Sequence, residues 1–126
     1  MANGGTTHDV HVGPNDQLVY VPPFINNVRP GDVINFIFHP KNHTATQSTF
    51  DTPCVRKPGG FDSGFEPVAA GQQNLPTFQI TIPDNNPVYV FCRQGDHCSD
   101  DGKQPPVFHE NAYSSIVSFV QGWYLL

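Results

Sequence analysis

The chain has 126 residues, the size of one domain, and carries a formal net charge of −5. That acidic balance argues against a nucleic-acid surface, and a charged fraction of only 13% with ten Phe argues against disorder. Thirteen Pro and eleven Gly fit many short strands joined by tight turns, an all-β class, and no apolar run approaches the roughly 20 residues that span a bilayer.

Residues 8–12, HDVHV, alternate as a half-buried strand does. Residues 18–21 form a second short β candidate, stopped by Pro22 and Pro23, and residues 24–28 follow. Arg29-Pro30-Gly31-Asp32 is a turn signal, because Pro presets φ and Gly accepts a positive one. Residues 33–38, VINFIF, are strong β formers, and residues 43–50, HTATQSTF, alternate weakly as the next strand. Residues 51–75 are rich in Pro and Gly with little periodicity. A connection of that length is expected to be functional or pinned by something. TFQITI at 77–82 alternates cleanly, residues 84–87 make a turn, and VYVF at 88–91 delivers Cys92. After Cys98 the character changes to a polar loop and then an apolar end. There the spacing of Ile116, Val117, Phe119, Val120 and Trp123 suits a helix face or a terminal strand.

The chemistry concentrates in FCRQGDHC at 91–98. A thiolate at Cys92 and an imidazole at His97 can meet on one ion if the loop doubles back at Gly95, and that donor pair suits copper or zinc. The alternative is a buried structural Cys and a surface His. His43, in KNHT, adds a second imidazole from a separate loop, and His2Cys is the donor set of a trigonal blue-copper site. Cys54 and Cys98 then pair as a disulfide, or Cys92 and Cys98 close a small ring. His39 is a conceivable further ligand, His8 with His11 a conceivable strand-end pair, and His109 a replacement ligand. Asn42-His43-Thr44 is a glycosylation sequon. No hydrolase, metalloprotease or nucleotide-binding motif is present, so no enzyme is expected.

Taken together, NHT at 42–44, TQSTFDTPC at 46–54, GGFDSGF at 59–65 and FCRQGDHC at 91–98 resemble the fungal extracellular cupredoxins, relatives of the plant phytocyanins. The resemblance runs from about residue 8 to 108 within a single domain of 1–126, with 109–126 an atypical tail. It implies a Greek-key β-sandwich of the cupredoxin type and one copper ion on His43, Cys92 and His97. It also implies a Cys54–Cys98 disulfide. The start Met1-Ala-Asn-Gly-Gly has no secretory signal, which suits either a cytosolic protein or a mature chain with a start methionine, and the resemblance implies export. The implied function is extracellular one-electron transfer by a monomer to an unknown protein or small-molecule partner. The electron route implied by the resemblance is the His97 edge, which Arg93, Gln94 and Asp96 would border. The chain departs from the family at the weak axial ligand. Its single methionine is Met1, Pro106 stands where the axial residue is expected, and Gln104 or a deprotonated Lys103 are the nearby donors. This departure keeps open copper sequestration or delivery without redox cycling, and a copper-free interaction module.

Overall fold

The computed structural model describes residues 5–17, 19–26, 28–52 and 54–93, together with the backbone of 117–120. The described residues form an all-β structure, with one short 3-10 turn at Pro14–Asp16 and no α-helix among them. The strands are β1 (Thr7–Val12), β2 (Tyr20–Val21), β3 (Phe24–Ile25), β4 (Val33–Phe38) and β5 (Lys41–His43), then β6 (Thr46–Ser48), β7 (Glu66–Val68), β8 (Thr77–Thr81), β9 (Val88–Phe91) and β10 (Val117–Val120). One sheet runs β2-β1-β4-β8 and a second runs β3-β10-β9-β6, while β5 and β7 pair separately. Two neighbours are parallel, β1 with β4 and β10 with β9, and the other pairs are antiparallel.

Strand parity builds the core. On β1, Val10 and Val12 are buried; on β4, Ile34, Phe36 and Phe38 are. Their intervening neighbours are more exposed, as the two-residue strand period requires. From the second sheet, Val88 and Val90 join the same cluster, so one core lies between the two four-stranded sheets. Phe36 is its centre, with ring centroids 6.3 Å from Tyr20, 6.4 Å from Phe78 and 6.5 Å from Phe61. Every residue of β9 is buried. Its second face is covered by the segment after β6, where Phe50 stacks on Tyr89 at 5.9 Å and Cys54 packs on Phe91.

The long Pro/Gly-rich connection is pinned, as expected. Gln47 N–H donates to the Phe61 carbonyl at 2.9 Å, and Lys57 N–H donates to the Gln47 carbonyl at 2.7 Å. The connection also contains β7, which the periodicity does not reveal. At the other end of the chain, residues 117–120 are a strand, which decides against the helical reading of that segment.

The turn before β4 carries a buried carboxylate. Gly31 has φ 95°, and the Asp32 N–H donates to the Arg29 carbonyl at 2.9 Å, closing the turn expected there. Asp32 accepts hydrogen bonds from Thr6 N–H at 2.9 Å, Arg29 N–H at 3.1 Å and His8 Nε2 at 3.0 Å. The His8 bond, with the backbone donors of Arg29 and Thr6, holds its carboxyl below the usual carboxylate range against the opposing effect of burial. A depressed folded pKa contributes stability that is present above the unfolded value of about 3.9 and is lost as pH falls through the folded value. Asp32→Asn is therefore expected to lower stability by about 1–3 kcal/mol at neutral pH. It is also expected to flatten the acid limb below about pH 4. Urea unfolding at a series of pH values reads both effects, and an unchanged acid limb would remove Asp32 from the account.

Candidate metal centre

His43 ends β5 and Cys92 follows β9, and the fold brings them together across 49 residues of sequence. His43 is 2% exposed and Cys92 1%. The Cys92 sulfur is a thiol outside any disulfide, and it lies 3.8 Å from His43 Nδ1. The tautomer of that ring follows from its contact with Pro40. His43 Nε2 lies 3.2 Å from the Pro40 carbonyl oxygen, which can only accept, so Nε2 carries the proton. Nδ1 then presents its lone pair toward the sulfur. Burial pushes the His43 imidazole below its ordinary range; the Pro40 bond opposes this and the Lys41 charge adds to it. The ring is therefore neutral at physiological pH and ready to ligate.

The span itself is informative. With bonds of about 2.05 Å to imidazole nitrogen and about 2.3 Å to thiolate sulfur, an ion bound to both places N and S about 3.8 Å apart at a trigonal angle. A tetrahedral angle places them about 3.6 Å apart. The observed 3.8 Å is a span that one ion can bridge.

A polar frame holds the two side chains. Thr44 N–H donates to Cys92 Sγ at 3.2 Å, a bond that favours the thiolate. Arg93 N–H donates to Thr44 Oγ1 at 2.9 Å. Thr44 Oγ1 lies 2.8 Å from Thr46 Oγ1, and Thr46 Oγ1 donates to Asp62 Oδ1 at 2.8 Å. Because Thr46 gives its proton to Asp62, Thr44 is the donor to Thr46, and the chain of bonds runs in one direction. Asp62 Oδ2 lies 2.9 Å from the Arg93 guanidinium and 3.5 Å from that of Arg56. Burial alone would raise the Asp62 carboxyl. The bonds from Gly64 N–H and Thr46, with the two arginine charges, outweigh it and hold the carboxyl below the usual range. Tyr20 O–H donates to the Thr44 carbonyl at 2.8 Å, and burial raises Tyr20 well above its ordinary value, so it stays a neutral donor. Ser63 closes the other side, its Oγ taking the Ala45 N–H at 2.9 Å and its N–H donating to the Ala45 carbonyl at 3.0 Å.

Of the sequence-predicted ligands, His43 and Cys92 meet. His97, Cys98 and Gln104 lie outside the described residues, as do Lys103, Pro106 and His109. Among the described residues, no group of three or more His, Cys, Asp or Glu side chains converges as a metal cluster. His8 and His11 do not pair. Three apart on one strand, they project from opposite faces, His8 to Asp32 and His11 to His39. Asn42 of the sequon is exposed beside the buried His43. Tyr20, Thr44, Thr46, Asp62 and Ser63 are the residues sequence reasoning misses as supports. The available signal is two threonines at alternate positions beside a candidate ligand histidine. Comparison of the chain with protein-family models, with curated proteins and with solved structures found no match in any of the three.

Proposed function

We propose that this protein is a cupredoxin-like copper protein that transfers single electrons outside the cell. One copper ion would be held by His43 Nδ1, Cys92 Sγ and His97 on a Greek-key β-sandwich. The observation that carries this reading is the 3.8 Å approach of a buried thiol to the unprotonated nitrogen of a buried, tautomer-locked imidazole. Soft thiolate with neutral imidazole is a donor set that copper favours. Bound there, copper supplies one-electron redox chemistry.

The protein's own part is to hold the donors still. The Pro40 carbonyl fixes the His43 ring, the Thr44 N–H steadies the negative charge on sulfur, and the Arg93–Asp62 pair ties the strand end after Cys92 to the 59–65 segment. Such outer contacts orient ligands and commonly matter 10- to 100-fold in affinity, an order-of-magnitude figure. A Cys54–Cys98 disulfide completes the proposal: with Cys92 kept as a thiol, the other two cysteines are left to each other. Copper holding without redox cycling is the second reading, supported by the single methionine being Met1, which leaves no thioether near the site's sequence.

The deciding experiment is a Cu(II) titration of the purified chain. The expected result is an intense visible thiolate-to-copper band that saturates at one equivalent, followed by reversible one-electron cycling in voltammetry. A folded chain that gives no band overturns the copper reading. A band without reversible cycling replaces electron transfer by copper holding.

A further inference from the structure

A second set of metal-ligating side chains lies apart from Cys92. His11 sits on β1, and His39 follows the last residue of β4. The parallel register sets His11 opposite Ile37 and Val12 opposite Phe38, and His39 N–H donates to the Val12 carbonyl at 2.9 Å. Val10, Val12, Phe36 and Phe38 turn into the core, so strand parity sends His11 and His39 to the outer face of that sheet. There His11 Nδ1 lies 2.8 Å from His39 Nε2, with ring centroids 5.0 Å apart and planes tilted by 47°.

A bare pair of this kind shares one N–H between two nitrogens. The same pair is also a chelate carried on two hydrogen-bonded strands, a rigid support. With metal–nitrogen bonds of about 2.0 Å, adjacent corners of a square lie about 2.8–2.9 Å apart, and corners of a tetrahedron about 3.3 Å. The observed 2.8 Å is close to the square value and is also the length of the N–H···N hydrogen bond the bare pair makes; N and O ligands are the set Cu(II) or Ni(II) takes in a square. Both rings are half-buried, so water can fill the remaining positions.

The geometry points to a second copper site on the outer face of β1 and β4, in which His11 Nδ1 and His39 Nε2 bind Cu(II) side by side and water completes a tetragonal shell. It does not depend on the Cys92 centre. It contains no thiolate, so it adds no intense visible band.

The test uses Cu(II) itself, by equilibrium dialysis and electron paramagnetic resonance. The whole chain is expected to bind a second Cu(II) with a tetragonal spectrum split by two nitrogens. His11→Gln and His39→Gln are each expected to weaken that ion at least tenfold and to leave the visible band of the first site unchanged. Circular dichroism confirms that both variants fold. A second ion that survives both substitutions overturns the assignment. So does a folded chain that binds no second Cu(II), which would leave only an N–H···N hydrogen bond. Repeating the dialysis on Cys92→Ser separates the two proposals, because the first site loses its thiolate there and the second keeps both its ligands.

Discussion

Cys92→Ser is expected to abolish the intense visible band and to weaken copper at the first site by more than a hundredfold while the chain stays folded. The band needs a thiolate, and a serine hydroxyl at neutral pH offers neither sulfur orbitals nor a negative charge. The loss should exceed the roughly 10- to 100-fold typical of losing a residue that merely supports a ligand. Stability should fall less steeply. Cys92 is buried, and the shorter C–O bond lengthens the 3.2 Å contact from Thr44 N–H, but a hydroxyl can still accept that bond. A cost of about 1–3 kcal/mol follows from burying a partly satisfied hydroxyl. Absorption spectroscopy, copper competition and thermal melting on the same preparation separate the two effects. A band that persists in Cys92→Ser would move the site to another sulfur and remove the observation on which the proposed function stands.

The parts of the fold that can be read from the sequence are those in which local pattern and burial agree. VINFIF at 33–38 becomes β4 residue for residue, and VYVF at 88–91 becomes β9, because strong β formers are bounded by turn residues. The pair β5 and β7 is invisible by the same logic. KNH and EPV are three residues each, too short to show a period, and Pro67 argues against a strand except at an edge. Their pairing joins segments about 25 residues apart, and it is this pairing that seats His43. The site divides in the same way. Cys92 and His43 stand out because few residue types carry metal chemistry. Thr44, Thr46, Asp62 and Ser63 look like ordinary polar residues, and what joins them to the site is a set of hydrogen bonds that span 16 to 49 residues. His11 shows the opposite error. Its nearness to His8 in sequence suggests a pair, yet strand parity separates them and delivers His39, 28 residues away, instead.

Gly13→Ala is expected to disable the first site without touching a ligand. Gly13 follows β1 with φ 74°, in the left-handed region, and its N–H donates to the Val19 carbonyl at 2.9 Å. A Cβ built there would overlap the His43 ring at Nε2 and lie 2.7 Å from both Cδ2 and Cε1. Left-handed backbone costs a non-glycine residue about 1–2 kcal/mol, and forcing an atom into a packed region adds about 1–3 kcal/mol. The ring can yield only by breaking the Nε2–H bond to Pro40 and by altering the 3.8 Å span to Cys92 Sγ. Stability should therefore drop by about 2–5 kcal/mol. Copper affinity should fall by at least tenfold, in line with losing a contact that orients a ligand. Gly31→Ala is the matched control. Gly31 has φ 95°, but nothing lies within 4 Å of the added carbon, so the backbone strain remains and the collision does not. That variant should lose about 1–2 kcal/mol and bind copper normally. Denaturant unfolding and a Cu(II) titration of both variants make the comparison. If Gly13→Ala costs no more than Gly31→Ala and keeps its full visible band, the His43 ring is free to shift, and the rigid placement of its Nδ1 toward the sulfur is not what binds the metal.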